Sequence, residues 1–366
     1  MPTLQAGSHV LVTGANGYIG YWIVRKLLEQ GYTVRAAVRS LAKGQPLKDY
    51  FSSYGDKLEL IAVPDITRNG AFDEAVKGVD GIIHTATASD FSIVEPEDWI
   101  KPALDGTLSV LESAKNFGDK LQRLVITSSV VAAGFTDSPP TVRITEEDWN
   151  DLAVEITKSQ GRDAPVMIKY TASKVLAEKG EHLYRANVLH ADTAAWEFYN
   201  KHKNNLSWEL VTILPSHVLG PALQPLQGPE TLNVSLWLFY DAITNPQKSD
   251  EELKGTYNYI HVEDISQAHV AALQRAEAAG ERIIVSAGAE TFQGTRNLLR
   301  QLRPELYEAK VLPVGNTALD VTPAYIYNIE KGKKVLGLEY EKEAKILKDT
   351  VEFFESRGYF KKTISA

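Results

Sequence analysis

Short apolar runs alternate along the chain with longer stretches whose apolar positions recur at helical spacing. This pattern predicts strands near 9–13, 33–38, 58–63, 80–85, 122–128 and 208–214, and helices near 17–29, 70–77, 97–117 and 168–187. Gly31, Gly55 and Gly78 punctuate successive units. Strands that alternate with helices predict an α/β fold with a doubly wound parallel sheet. From about residue 215 the alternation loosens into Leu214-Pro-Ser-His-Val-Leu-Gly-Pro-Ala-Leu-Gln-Pro. The expected organisation is a nucleotide-binding domain over 1–214, with segments near 256–290 returning to its sheet. Residues 215–366 would form mainly a smaller substrate lobe. With no repeat or long linker, the two lobes are expected to share one core.

Composition narrows the partners. A chain of 366 residues can bury a sizeable core, and its net charge of −8 argues against nucleic acid or an anionic membrane as a main partner. No run approaches the ~20 apolar residues of a membrane span. The start, Met-Pro-Thr-Leu-Gln-Ala-Gly-Ser, has neither the basic nor the apolar segment of a secretory signal. Without cysteine there is no disulfide and no thiolate chemistry, which fits a reducing cytoplasm. The eight histidines form no HExxH pattern, and no metal is expected.

Candidate chemistry starts at Val10-Leu-Val-Thr-Gly-Ala-Asn-Gly-Tyr-Ile-Gly20, where a strand pattern runs into a glycine-rich turn that opens a helix. Gly14 would permit the tight turn, Gly17 would let the backbone approach a pyrophosphate, and Gly20 would let helix and strand pack closely. Together with Asn16, Tyr18 and Ile19 these residues form a candidate dinucleotide cradle of the Rossmann type. Three glycines alone are a weak signal; the strand before and the helix after strengthen it.

The end of the second strand bears on which dinucleotide is bound. NAD sites place an acid about 20 residues past the glycines for the ribose 2′-hydroxyl, whereas NADP needs a cation for the 2′-phosphate. Here Arg39 ends the strand, Lys43 follows, and no acid occurs before Asp49. NADP(H) is therefore expected, the competing view being that both cations are solvated surface charges. Asp65 and Ile66, after the third strand, would sit over the adenine; a turn role for Asp65 is compatible with this.

Tyr170-Thr-Ala-Ser-Lys174 suggests proton chemistry. Residues four apart share a helix face, so the Lys174 ammonium could stabilise a Tyr170 phenolate and bring the phenol toward neutral pH. Tyr199 with Lys203 and Tyr327 with Lys331 match the same spacing and are expected to be surface helix pairs. The first match has better surroundings, because it follows a fifth strand ending in Thr127-Ser-Ser129, which would bring two hydroxyls to the carboxyl edge of the sheet.

At this point the chain resembles the extended short-chain dehydrogenase/reductases, in the branch of dihydroflavonol reductase, cinnamoyl-CoA reductase and fungal methylglyoxal and carbonyl reductases. The motifs above are joined by His84-Thr-Ala, Leu214-Pro-Ser-His-Val and Tyr259-Ile-His-Val-Glu-Asp-Ile, in family order from residue 10 to about 270. One departure is His84-Thr-Ala-Thr-Ala-Ser-Asp-Phe, where relatives often have His-x-Ala-Ser-Pro.

The resemblance implies a catalytic group of Ser129, Tyr170 and Lys174. It implies further cofactor contacts at Thr85, Ala86 and Thr87, and at Pro215, Ser216 and His217 beside the carboxamide of nicotinamide. The implied reaction is NADPH-dependent reduction of a small-molecule aldehyde or ketone, with Ser129 polarising the carbonyl and Tyr170 giving the proton, and an apolar pocket lining would suit hydrophobic substrates better than phosphorylated sugars. Ser128 is then expected to support the strand exit. Candidate pocket walls are Phe91, Val131, Phe135, Val166 and Leu236-Trp-Leu-Phe-Tyr240, although core is the default role for each as a buried apolar residue. The segment from Thr136 to Ala164 could be part of a lid or a surface excursion. Trp149, Trp196 and Trp208 are expected to be packing residues. Two other readings stay open: a nucleotide-sugar epimerase or dehydratase, and a non-catalytic NADPH-binding regulator. Val130-Val-Ala-Ala after Ser129 lacks the acidic pair of the dehydratases, and a regulator would typically have lost the tyrosine or lysine.

Overall fold

The computed structural model describes residues 3–87, 93–136, 141–179 and 195–360. The first half builds the sheet: β1 (His9–Thr13), α1 (Tyr18–Glu29), β2 (Thr33–Val38), α2 (Leu41–Tyr50), β3 (Leu58–Ala62), β4 (Gly81–His84), α3 (Pro96–Phe117) and β5 (Arg123–Thr127). After β6 (Val142–Ile144), α4 (Asp151–Gln160), α5 (Val166–Glu178) and α6 (Ala195–His202), β7 (Glu209–Pro215) returns to that sheet. There follow β8 (His217–Leu219), α7 (Val234–Thr244), α8 (Asp250–Lys254), β9 (Thr256–His261), α9 (Val262–Gln274), β10 (Arg282–Val285) and β11 (Gly288–Thr291). The chain closes with α10 (Phe292–Leu302), α11 (Pro304–Glu308), β12 (Tyr325–Tyr327), α12 (Glu330–Leu336) and α13 (Glu343–Ser356).

Seven strands form one sheet in the order β10-β7-β5-β4-β1-β2-β3, every pair parallel. β1 lies between β2 and β4, so the chain winds outward from it in both directions. The α/β doubly wound architecture expected from the alternation is thus observed. Period-two patterning sorts the side chains into two layers. Val10, Val12, Ile83, Val125, Val211 and Ile213 join α1 and α9 in one apolar cluster. Leu11, Ile82, Leu124, Ile126 and Leu210 join Phe72, Val76 and the α3 residues Val110 and Leu111 in the other. Smaller sheets, β11-β9-β8 and β12-β6, lie outside the main one.

The predicted strands fall within a residue or two of the observed ones, but the helices do so less uniformly. Residues 70–77 form successive turns and not a helix, because Gly70 and Gly78 adopt φ of +74° and +69° and leave only a short run between two helix-breaking positions. Phe72 and Val76 are nevertheless buried. The helix expected at 168–187 is α5, which starts at Val166; the expected stretch beyond 179 lies outside the described residues. The pattern does not predict α2, β6, α4, α6 or any of the individual elements after β7.

α1 lies very close to the turn that joins it to β1. A Cβ at Gly20 would overlap the Gly14 carbonyl oxygen and lie 2.9 Å from Ala15 Cα. Since both neighbours are backbone, neither can rotate away. Gly20→Ala is expected to cost at least ~2 kcal/mol in urea unfolding, within the range for overpacking of a rigid site. Unchanged stability would show that the approach is looser than described.

Candidate active site

The carboxyl ends of β1, β2, β4, β5 and β7 meet along one edge of the sheet, and the glycine loop sits over its centre. Gly14 has φ +64°, and a Cβ there would come within 2.9 Å of the Ala86 nitrogen. Only glycine suits this position, on both backbone and steric grounds. Gly17 caps α1 with no side-chain hydrogen bond, so the first-turn N–H groups of Tyr18 and Ile19 remain available to an anion. The Tyr18 hydroxyl donates to the Gly220 carbonyl at 2.8 Å, which ties the loop to the segment after β8. Asn16 donates to the Lys43 carbonyl at 3.3 Å and draws the start of α2 toward the loop.

Arg39 and Lys43 are exposed at the end of β2 and the start of α2, and neither side chain has an ion-pair partner among the described residues. Ser40 caps α2 between them by accepting from the Lys43 N–H. Asp65 accepts from both the N–H and the hydroxyl of Thr67, at 2.9 and 2.7 Å, and these bonds hold its carboxyl below the usual range. The turn role considered for Asp65 is therefore present. Ile66 reaches toward α3, where a Cβ on Gly106 would stand 3.0 Å from it.

A polar knot fixes the loop after β4. The Thr13 hydroxyl accepts from the N–H groups of Thr85 and Ala86, each at 3.2 Å, and contacts His84 Nδ1 at 2.9 Å. With both acceptor sites used, its proton goes to Nδ1, which makes His84 a neutral ring protonated at Nε2. Burial and nearby Lys174 push the His84 pKa down to about 3, so it stays neutral at physiological pH. The Thr85 hydroxyl donates back to the Thr13 carbonyl at 2.7 Å.

Beyond this knot, Lys174 Nζ donates to the Thr87 hydroxyl at 3.3 Å and lies 5.7 Å from the centre of the Tyr170 ring. Helical spacing thus brings the two α5 residues together as expected. Ser129 completes the group: its hydroxyl is hydrogen-bonded to the Tyr170 phenol and also accepts from Val131 N–H at 3.4 Å. Trp99 stands edge-on to Tyr170 at 5.9 Å. The electrostatics differ from expectation. Burial raises the Tyr170 phenol above its ordinary value and the Ser129 hydrogen bond only partly opposes this, so the phenol is not drawn toward neutrality. Burial acts on Lys174 as well, lowering it to about 8, with Glu178 opposing. Both groups are charged reluctantly in this dry setting.

Ser128 faces away from Ser129's partners and donates to Glu178 at 2.7 Å, while its N–H bonds the Ile213 carbonyl at 2.8 Å. At the end of β7, Pro215 is buried and the Ser216 hydroxyl is buried without a partner among the described residues. His217 Nε2 donates to the Ser235 carbonyl at 2.8 Å, and burial lowers its pKa. Among the candidate walls, Leu236 and Phe239 are fully buried core, so they are removed from the list. Trp237 is 45% exposed and Tyr240 donates to the Tyr359 carbonyl. Val131, Phe135 and Val166 are partly exposed, and Phe135 packs against the cluster that holds Val130, Ile144, Leu214 and Tyr327. Phe91 and the stretch 137–140 lie outside the described residues.

The other two Tyr-Lys matches need correcting. Tyr199 and Tyr327 are only 7% and 6% exposed, so neither is a surface residue. Tyr199 donates to Glu209, and Tyr327, on strand β12 and not on a helix, donates to the Gly134 carbonyl at 2.6 Å. Side-chain reach across the fold, not spacing, sets their roles. Among the described residues no group of His, Cys, Asp and Glu could hold a metal, and no helix is long and apolar enough to cross a membrane.

The NAD dependent epimerase/dehydratase family profile matches residues 10–288. The chain belongs to this family. Among similar proteins, cinnamoyl-CoA reductase CAD2 of Medicago truncatula is 33% identical, over 98% of this chain and 99% of its own. NADPH-dependent methylglyoxal reductase GRE2 of Saccharomyces cerevisiae is 31% identical, over 93% and 96%. The crystal structure of yeast methylglyoxal/isovaleraldehyde reductase Gre2 complexed with NADPH superposes with a TM-score of 0.79 at 28% identity, covering 96% of this chain and 99% of that one. The extended short-chain resemblance and the Rossmann-type fold both stand.

In this epimerase/dehydratase-family chain the buried Lys174 has a measurable consequence. Its folded pKa of about 8 lies below the ordinary 10.5, so between those values the unfolded chain holds a proton that the folded chain has released. Stability from this site therefore rises with pH across that window, and the cost of the buried charge is carried in full below it. Without added coenzyme, Lys174→Met should be more stable than the unaltered chain by roughly 3 kcal/mol at neutral pH. Urea unfolding should show that advantage fading as pH approaches 10.5. An advantage independent of pH would mean that burial does not oppose the charge.

Proposed function

We propose that this chain is an NADPH-dependent reductase of aldehydes or ketones, preferring small hydrophobic carbonyl compounds. The observation that carries the reading is the junction of Ser129, Tyr170 and Lys174 at the carboxyl edge of the sheet, beside a loop into which no Cβ fits at Gly14 or Gly20. The likeness to reductases over nearly the whole chain supports it. That glycine cradle suits a dinucleotide pyrophosphate, and the partnerless Ser216 hydroxyl suits a polar group lying along the β7 exit. Arg39 and Lys43 would meet the 2′-phosphate. The coenzyme supplies the hydride.

Everything else falls to the protein's own groups. Ser129 would donate to the carbonyl oxygen, where negative charge builds, and so stabilise the transition state more than the ground state. Tyr170 would give its proton to that oxygen, and its high affinity for the proton keeps it loaded at neutral pH. Lys174 would hold the ribose hydroxyls and offset the phenolate left behind. Val131, Phe135 and Val166 would present the apolar face that favours hydrophobic substrates, and no carboxylate follows Ser129 to serve dehydration.

Two measurements test this reading. In fluorescence titrations NADPH should bind at least ~1.4 kcal/mol, or tenfold, more tightly than NADH, the scale of one charge-assisted phosphate contact. Arg39→Asp should narrow or reverse the preference, and equal curves for the unaltered chain would remove the NADPH assignment.

Steady-state reduction of a reactive aldehyde tests the proton donor. Tyr170→Phe should lower kcat by about 10²-fold or more with NADPH affinity nearly unchanged, since only the transferable proton is lost. Full turnover by this variant would relocate the site.

A further inference from the structure

The stripe of α5 that carries Tyr170 and Lys174 continues one turn further to Glu178, which is 2% exposed. Its two oxygens are fully engaged. Oε1 accepts from Arg282 Nε at 2.9 Å, Thr212 at 2.8 Å and Trp196 Nε1 at 3.4 Å; Oε2 accepts from Ser128 at 2.7 Å and Arg282 Nη2 at 3.4 Å. Arg282 in turn donates to the Glu146 and Asp148 carbonyls and lies 3.6 Å over the Trp149 ring. One carboxylate therefore links the helix of Tyr170 and Lys174 to three adjacent strands, β5, β7 and β10, and it does so at the residue immediately before Ser129. Trp149 and Trp196, expected only to pack, enclose this pair.

We propose that Glu178 is a positioning residue for the Ser129, Tyr170 and Lys174 group, its buried carboxylate tying the β5 exit to α5 one helical turn beyond Lys174. The inference rests on the reductase reading, which gives those three residues their roles. A break in this tie would let the Ser129 strand exit move relative to Tyr170, and a displacement well under the length of a hydrogen bond is costly at a reacting centre. The charge has a separate effect, because Glu178 is the side chain that opposes burial at Lys174. Other titratable groups on α5 and the elements around it include Lys169 on α5, which donates to the Val94 and Arg162 carbonyls, His84 on β4, held neutral, Lys101 and Asp105, paired at 2.6 Å on α3, and Glu155, Lys158 and Asp151 on α4, the last paired with Lys179 at 2.6 Å. Glu197, Lys201 and His202 lie on α6.

The Lys174 titration is read in the full chain, without coenzyme, by competitive acetylation with acetic anhydride across pH and mass spectrometry of the Lys174 peptide. Glu178→Gln removes the negative charge and leaves Arg282 unpaired, so the midpoint should fall by roughly one unit from about 8. Arg282→Gln leaves the carboxylate unneutralised, and the midpoint should rise by a similar amount. The double variant should return toward the unaltered value. Both single variants break a buried ion pair and should lose stability alike, yet a general loss of packing cannot move one midpoint down and the other up. Shifts in the same direction, or none, overturn the proposal. Glu178→Asp is the milder arm: it keeps the charge but withdraws the carboxylate from Ser128, so the midpoint should hold while kcat for aldehyde reduction falls about tenfold. An unchanged kcat overturns the positioning role. Should the unaltered chain reduce no carbonyl compound, the reductase reading fails, while the opposed midpoint shifts still decide the link between Glu178 and Lys174.

Discussion

The parallel pairing of all seven strands is the constraint from which the rest follows. Parallel strands must be joined by crossovers, the crossovers cover both faces with helices, and every strand then ends at the same edge. This is how residues as far apart in the chain as Thr13, Arg39, His84, Ser129 and Pro215 come to share one rim. The same geometry brings α1 down onto the turn after β1 at Gly20, leaving no space for a side chain. It also leaves the first-turn N–H groups of α1 pointing outward at that rim, where no side chain caps them.

Along this edge the chain keeps its charged groups dry and reluctant. Lys174, Tyr170 and His84 all shift toward their neutral forms, because burial removes the water that would solvate the charge. The arrangement suits proton transfer, since a phenol that holds its proton in the resting state has it to give. It also explains the polar scaffolding nearby. Thr13 and His84 satisfy the turn after β4, and Glu178 and Arg282 satisfy one another between α5 and β10, so that few buried polar atoms at the rim lack a partner. Among the described residues Ser216 is an exception, on the face expected to meet nicotinamide.

Much of the fold was legible because it is written in local period. Apolar alternation marked the first strands to within a residue or two, and the glycines of the first turn, the Tyr170 and Lys174 pair and the two serines were all visible as short-range patterns. The helix expected at 70–77 failed for a local reason too, in that its bracketing glycines adopt positive φ. The buried roles of Tyr199 and Tyr327 could not be read this way. Their partners, Glu209 and Gly134, lie elsewhere in the chain, and Tyr-x-x-x-Lys spacing says nothing about whether either residue sits on a helix. Glu178 had one local clue, its position four residues after Lys174.

By itself the sequence determined the period of each element, the backbone freedom at Gly14 and the absence of an acid near Arg39, since these depend only on neighbours along the chain. The tertiary structure decided what each polar group meets. It brought Arg282 from the last strand of the sheet onto Glu178, set Ser129 against Tyr170 and Ser128 against Glu178, and drove the Tyr170 phenol up where spacing alone suggested down. Hydrogen-bond partners and desolvation are properties of a packed interior, and an interior exists only once segments distant in sequence have closed over one another.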